Sequence, residues 1–265
     1  MSDSAVDREI KICCATFYES EAIRMLLGES FHPGGLALTY HLGEVLGLNE
    51  ADHVLDVACG RGVSAVHLAK SFSCHITGAD YSHQNIDVAR NHAAEQGVSH
   101  LVGFRQGDAE GLPFHDRTFG AVISECSFCT FPNKEIAAEE MARVVCKNGR
   151  IGFTDMTVNG ALPDEIRSML SWVACVTGAG TPENYTRILE KAGFTDFVVE
   201  NQKDWLLEMV RAVRRRLLAI ELAVGLGKLD LGDLDVNEGK RLAQNAVELI
   251  YDGTLGYTLI AGRRA

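Results

Sequence analysis

The sequence predicts an α/β fold, with a mostly parallel sheet covered by helices on both faces. Three observations carry this. Short apolar runs bounded by Gly and Asp alternate with longer segments of helical period through the middle of the chain. A buried run beginning at Val54 leads through a glycine turn into a helix. The 265 residues are 46% hydrophobic and 23% charged, enough for one large core without disorder. Strand–helix alternation of this kind needs crossover helices on the sheet faces.

The strands are expected at 53–58, 75–80, 102–107, 119–124, 150–155, 196–200 and about 255–261. Helices are expected near 36–47, 63–71, 83–96, 134–146 and 183–192. Thr181 followed by Pro182 and Glu183 is a good helix start, and Gly193 a good stop. The region 203–250 is long, amphipathic and helical, with a Gly/Asp-rich break before a second helix near 237–250. It reads as an insertion between two late strands, either a packing pair or a substrate lid. The domain layout expected is an N-terminal helical lid over 1–48, a core over 49–202, the helical insertion over 203–252 and a final strand over 253–265.

The formal net charge of −11 argues against nucleic-acid and anionic-membrane partners, which need clustered Lys and Arg. The local run Arg211, Arg214, Arg215, Arg216 is read as a solvated helix face. Met1 to Lys11 is polar and charged, unlike a signal peptide, and no run of about 18 apolar residues suggests a membrane span. A cytoplasmic, reducing setting is therefore expected. There the eight cysteines are buried, catalytic or metal-binding rather than disulfide-bonded. A small-molecule substrate is the expected partner, and a homodimer is left open.

The strongest motif runs from Val54. A strand reaching Asp56 and Ala58 turns at Gly60 and Gly62 into a helix, whose N-terminus favours negative charge. Asp80 ends the next strand, where a carboxylate is placed to accept hydrogen bonds from the hydroxyls of a ribose. Taken alone, Gly60-Arg61-Gly62-Val63-Ser64-Ala65 also fits a dinucleotide site. The third strand leads into Gln106-Gly107-Asp108-Ala109-Glu110 and Gly111-Leu112-Pro113-Phe114. Asp108 then lies where an adenine amino group would sit. The fourth strand runs into Glu125 and Cys126.

With these four motifs in order, residues 53–156 resemble the class I S-adenosylmethionine-dependent methyltransferases. The resemblance implies a Rossmann-like, seven-stranded sheet whose last strand is antiparallel. It implies S-adenosyl-L-methionine held by Asp56, Ala58, Gly60, Gly62, Asp80, Asn85, Asp108, Ala109 and Glu125, with Tyr81 packed on the adenosine and Cys126 close by. The chain departs from the family pattern at Gly120, where an Asp is usual. Residues 123–195 resemble the arsenite methyltransferases more closely, through Glu125-Cys126, Pro132-Asn133-Lys134, Thr154-Asp155-Met156, Leu162-Pro163-Asp164-Glu165 and Trp172 to Ala179. Cys13-Cys14 is similar to that family too.

That resemblance implies thiolates holding a trivalent metalloid beside the transferred methyl. Soft sulfur ligands suit a thiophilic atom, and in-line transfer then needs positioning rather than a base. The candidate cysteines are Cys126, Cys175, Cys129, Cys13 and Cys14. Cys59 belongs to the glycine loop, and Cys74 and Cys146 to the scaffold. The arsenite enzymes carry a further cysteine beyond the Cys175 region, and this chain has none there. The alternatives are methyl transfer to carbon, nitrogen, oxygen or sulfur of an organic metabolite, a nicotinamide-dependent oxidoreductase, and a non-catalytic cofactor-binding module. His32, within Phe31-His32-Pro33-Gly34-Gly35, Tyr18 and Thr39 are candidates for touching the site.

Overall fold

The computed structural model describes residues 4–19, 21–28, 30–162, 176, 178–225 and 236–265. Residues 163–175 and 177, which include Pro163-Asp164-Glu165, Trp172 and Cys175, lie outside the described residues.

Three helices come first: α1 (Ala5–Glu19), α2 (Glu21–Leu27) and α3 (Gly35–Leu46). The core then alternates β1 (His53–Val57), α4 (Val63–Phe72), β2 (His75–Asp80), α5 (His83–Glu95) and β3 (Val102–Gln106). It continues through β4 (Phe119–Glu125), α6 (Lys134–Val144), β5 (Val145–Val158), α7 (Pro182–Lys191) and β6 (Phe194–Asn201). Helices α8 (Lys203–Gly225) and α9 (Val236–Tyr251) intervene before β7 (Leu255–Arg264).

The strand order is β3-β2-β1-β4-β5-β7-β6. β7 runs antiparallel to both β5 and β6, and the other pairings are parallel. The seven-stranded sheet with its antiparallel last strand is thus as expected. Strand order reverses between β1 and β4. The crossovers leave in opposite directions there, which opens a crevice at the carboxyl ends of the strands.

The two-residue period of the strands divides the core. Val54, Ala121 and Ile123 face a layer containing α3, α4, α5 and part of α8 and α9. Leu55, Val57 and Val122 face the opposite layer, with Ala137 and Met141 of α6 and Tyr185 and Leu189 of α7. Both faces of each central strand are buried, so these strands read as near-continuous apolar runs.

Local chemistry sets the boundaries. Ser82 caps α5 by accepting from the Asn85 N–H, and Asn133 caps α6 by accepting from the Ile136 N–H. Thr181 caps α7 ahead of Pro182, and Gly193 follows the helix in the left-handed region at φ 95°. Strand β5 starts earlier than expected. Val145 pairs with Phe119, the register then shifts, and Arg150 pairs with Ala121. The Lys147-Asn148-Gly149 turn is carried inside the strand as an irregularity, with Asn148 left-handed at φ 62°.

The 203–250 region forms α8 and α9 between β6 and β7. Leu206, Leu207, Ala243 and Ile250 are buried. Arg211 donates to the Tyr251 hydroxyl and Arg214 to the Gln244 side chain, so two members of the basic run tie α8 to α9. Among the described residues, no helix is long and apolar enough to cross a membrane.

Gly62 shows how closely the fold is packed under the glycine turn. It caps α4 at φ 74°, and an added Cβ would lie 2.5 Å from Phe104 Cζ and 2.9 Å from Ala89 Cβ. Gly62→Ala is expected to cost about 2–4 kcal/mol, combining left-handed strain with overpacking. A urea transition with a lower midpoint and an unchanged slope would report it.

Candidate active site

The cavity lies at the carboxyl ends of β1, β2 and β4, at the reversal of strand order, and α1 and the loop before α3 close one side. Its floor begins with Asp56, at the buried end of β1. Ala58 takes a left-handed φ of 59°, which swings the chain into the Cys59-Gly60-Arg61-Gly62 turn.

Asp80 ties that turn down. Its Oδ2 accepts the Gly60 N–H at 2.8 Å, and its Oδ1 accepts the Ser82 N–H at 2.9 Å. Burial raises its pKa. Hydrogen bonds from the Ser82 and Gly60 N–H groups and the Asn85 side chain pull the other way. Asp56 is pushed well above the ordinary carboxylate range by burial, then by the negative charges of Glu125 and Asp80. Among the described residues, Asp56 Oδ2 and Asn85 Oδ1 are buried acceptors without a hydrogen-bond partner. Such orphans are rare in folded proteins and mark groups awaiting a donor.

Asp108 and Glu110, after β3, meet a cation that sequence reasoning missed. Lys11 Nζ lies 2.8 Å from Asp108 Oδ2 and 2.9 Å from Glu110 Oε2. Lys11 reaches them from α1, where Lys11, Cys14, Ala15 and Tyr18 all line the cavity. These residues follow the i, i+3, i+4, i+7 spacing of one helix face, the signal that could have revealed them. Arg61 was also passed over. It projects from the glycine turn to the Glu19 carbonyl and the Glu21 carboxylate.

At the other end, Glu125 closes β4. Both its oxygens are within hydrogen-bond distance of the Thr39 hydroxyl, at 3.1 and 3.0 Å. His32 Nε2 is 3.6 Å from Glu125 Oε2, and both side chains are under 5% exposed. His32 Nδ1 lies 3.1 Å from the Pro33 carbonyl, which only accepts, so Nδ1 carries a proton. Nε2 faces that carboxylate and the hydroxyls of Thr39, at 3.4 Å, and Ser64, at 3.5 Å.

Of the expected cofactor set, Asp56, Ala58, Gly60, Asp80, Tyr81, Asn85, Ala109, Glu125 and Cys126 line one cavity. Gly62 lies behind it as the α4 cap, and Asp108 reaches it through Lys11.

The expected cysteine cluster divides. Cys14 and Cys126 line the cavity, but Cys13 and Cys129 do not. Cys13 is exposed, because neighbouring helical residues point about 100° apart. Cys129 is buried in the core, its backbone N–H held by Asp155 Oδ2 at 2.8 Å. Cys59 also lines the cavity, with its thiol pKa pushed up by burial and then by Asp56 and Asp80. Burial raises Cys74 to about 11, in keeping with a scaffold role. Among the described residues, no three His, Cys, Asp or Glu side chains are grouped to hold a metal ion.

Residues 48–193 match a family model described as a methyltransferase domain. The chain belongs to this methyltransferase family. Methyltransferase GfsG of Streptomyces halstedii is 32% identical over 162 residues, 60% of this chain and 58% of that protein. The sarcosine/dimethylglycine N-methyltransferase of Halorhodospira halochloris is 31% identical, over 64% of this chain and 61% of that protein. The arsenite methyltransferase of Halobacterium salinarum is 30% identical, over 53% of this chain and 37% of that protein. The chain thus matches less than two thirds of the length of each. Among solved structures, the [4+2]-cyclase SpnF superposes with a TM-score of 0.77 at 21% identity, covering 96% of this chain and 95% of that one.

The methyltransferase cavity fits S-adenosyl-L-methionine. Asp80 suits ribose hydroxyls, Asp108 an amino group, and the orphaned Asp56 and Asn85 oxygens further donors. The buried carboxylates favour a cation. Asp80→Ala is expected to weaken S-adenosylmethionine binding at least about tenfold, or about 1.4 kcal/mol, by calorimetry.

The raised pKa values give binding a pH signature. A carboxyl whose folded pKa exceeds its unfolded value stabilises the ligand-free chain at low pH. That contribution is lost as pH rises through the folded value. A bound cation offsets the loss. The gain in melting temperature from S-adenosylmethionine should therefore be larger near about pH 8 than about pH 5.5, and Asp56→Asn should flatten the difference.

Proposed function

We propose that this chain is an S-adenosylmethionine-dependent methyltransferase acting on a small organic acceptor. The observation that carries the reading is the set of buried acid and amide acceptors at the strand-order reversal, with Asp56 Oδ2 and Asn85 Oδ1 lacking partners. When bound, the cofactor supplies an electrophilic methyl group on a positively charged sulfonium. Asp80 and Asp108 orient its ribose and adenine. Asp56 and Glu125 surround its charged end with negative potential, which favours the cation over the neutral product left after transfer. Positioning and exclusion of water by α1 and the His32 loop supply most of the remaining assistance.

The His32–Glu125 pair favours an acceptor that sheds a proton, such as a hydroxyl or amine. In its neutral form His32 can take that proton at Nε2, with Glu125 3.6 Å away to stabilise the charge that forms. A second reading, a thiolate-bound metalloid, is supported by Cys14 and Cys126 lining the same cavity. The arsenite methyltransferase relative is in keeping with it.

Labelled S-adenosylmethionine offered with sarcosine, a catechol, or arsenite plus a thiol separates the two. Transfer to an organic acceptor is expected, with His32→Gln lowering turnover about 10²–10⁴-fold and changing S-adenosylhomocysteine affinity little. Cys126→Ser should leave that activity within about twofold. Transfer to arsenite alone, abolished in Cys126→Ser, would establish the metalloid reading instead. A chain that binds neither S-adenosylmethionine nor its product would defeat both.

A further inference from the structure

We propose that Lys11 is a positioning residue that locks α1 over the adenine side of the cavity, so that cofactor and product exchange only when this lock opens. The proposal rests on the S-adenosylmethionine reading for the identity of the retained ligand. The lock itself belongs to the ligand-free chain.

Helix α1 forms one wall of the cavity through Lys11, Cys14, Ala15 and Tyr18. Whatever fills the cavity is covered by this helix. Yet the apolar anchorage of α1 is concentrated at its C-terminal end, where Tyr18 packs against the core and edge-on to Phe31. Lys11 is its one fully buried residue, while Val6, Ile10 and Ile12 are exposed. Lysine is almost never buried unless paired, because removing an ammonium from water is costly. Here the Lys11 side chain is 7% exposed and meets two carboxylates, Asp108 and Glu110, at 2.8 and 2.9 Å.

Two further tethers act beside it. Arg61 donates to the Glu19 carbonyl at 3.2 Å and to the Glu21 carboxylate at 2.9 Å. The Ser82 hydroxyl donates to the Glu19 carboxylate. The tethers of Lys11, Arg61 and Ser82 involve the loops after β3, β1 and β2 respectively. Asp108 and Gly60 lie in the first two of these loops, and Asp80 immediately precedes the third. The N-terminal segment therefore docks when all three stand in the arrangement that would hold a nucleoside.

Polar tethers with little buried apolar area give a locally weak element, one that opens without unfolding the core. The lock is compatible with a bound adenine. Asp108 Oδ1 accepts the Glu110 N–H and Oδ2 accepts Lys11, and each carboxylate oxygen has a second lone pair.

Hydrogen exchange on the ligand-free chain and stopped-flow release of S-adenosylhomocysteine test the lock together. Lys11→Met keeps the apolar stem and removes the charge. It is expected to speed exchange of the α1 amides about tenfold, leave β1, β4 and β5 protected as before, and speed ligand release about tenfold. Glu19→Gln, which weakens the Ser82 tether without touching Asp108, should shift both readouts the same way. Unchanged α1 exchange in Lys11→Met overturns the lock. Faster α1 exchange with unchanged release overturns its role as a gate. Faster exchange throughout the core in both variants makes Lys11 a general stability residue and also overturns the proposal. If S-adenosylhomocysteine fails to bind the unmodified chain, the cofactor reading fails, and α1 exchange still decides the lock.

Discussion

One buried carboxylate organises the site. Asp80 takes the Gly60 N–H on one oxygen and the Ser82 N–H on the other, joining the turn after β1 to the turn after β2. Without that double acceptance, the buried Ser82 N–H would be orphaned, at about 1–3 kcal/mol, and the half-buried Gly60 N–H would lose its partner. The same clasp fixes the entry of α4 and α5, since Gly62 and Ser82 are their caps. The site is held at an electrostatic cost. Asp56 stays buried near Asp80 and Glu125, with one oxygen unpartnered. An apolar residue there would relieve the repulsion. A cationic, donor-rich ligand relieves it only when bound, which is how a binding site differs from a stable core.

Sheet topology decides where those acids meet. Order reverses between β1 and β4, so the crossover helices diverge and the carboxyl ends of β1, β2 and β4 open onto one crevice. Elements from the N-terminal quarter then complete it. Thr39 reaches Glu125 across 86 positions of chain, and Lys11 reaches Asp108 across 97. The strand ends supply the floor of the cavity, and residues of α1 and the loop before α3 supply part of its wall.

That division bears on how one fold serves different reactions. The family match covers residues 48–193, which hold β1 to β5 and α4 to α7 and leave out the three N-terminal helices and the last two strands. The relatives carry names with different acceptors, and a structural neighbour with close overall geometry is named a cyclase. Fold alone does not carry a reaction. In this chain Cys14, Tyr18 and His32 from the N-terminal segment line the cavity together with Glu125 and Cys126 at the β4 exit.

Much of the architecture was legible in the amino-acid order, because strands, helices and caps are local properties. Burial on both faces made the central strands apolar runs. Thr181-Pro182 and Gly193 bracket α7 by turn chemistry, and Gly60, Gly62 and Asp80 sit at fixed offsets from strand ends. Side-chain convergence is not local. Cys13 and Cys14 are equal in sequence, and only the docking face of α1 turns Cys14 inward and Cys13 to solvent. Cys126 and Cys129 lie three positions apart, and a single short 3₁₀ turn (Phe128–Thr130) buries one away from the cavity that the other lines. Lys11 read as part of a polar terminus, until tertiary packing set its ammonium between two carboxylates nearly a hundred residues away. Sequence by itself determined the sheet, its glycine turn and the acid that ends β2. The tertiary structure decided which thiols, acids and cations share the cavity, because that depends on how separate helices pack rather than on any period within them.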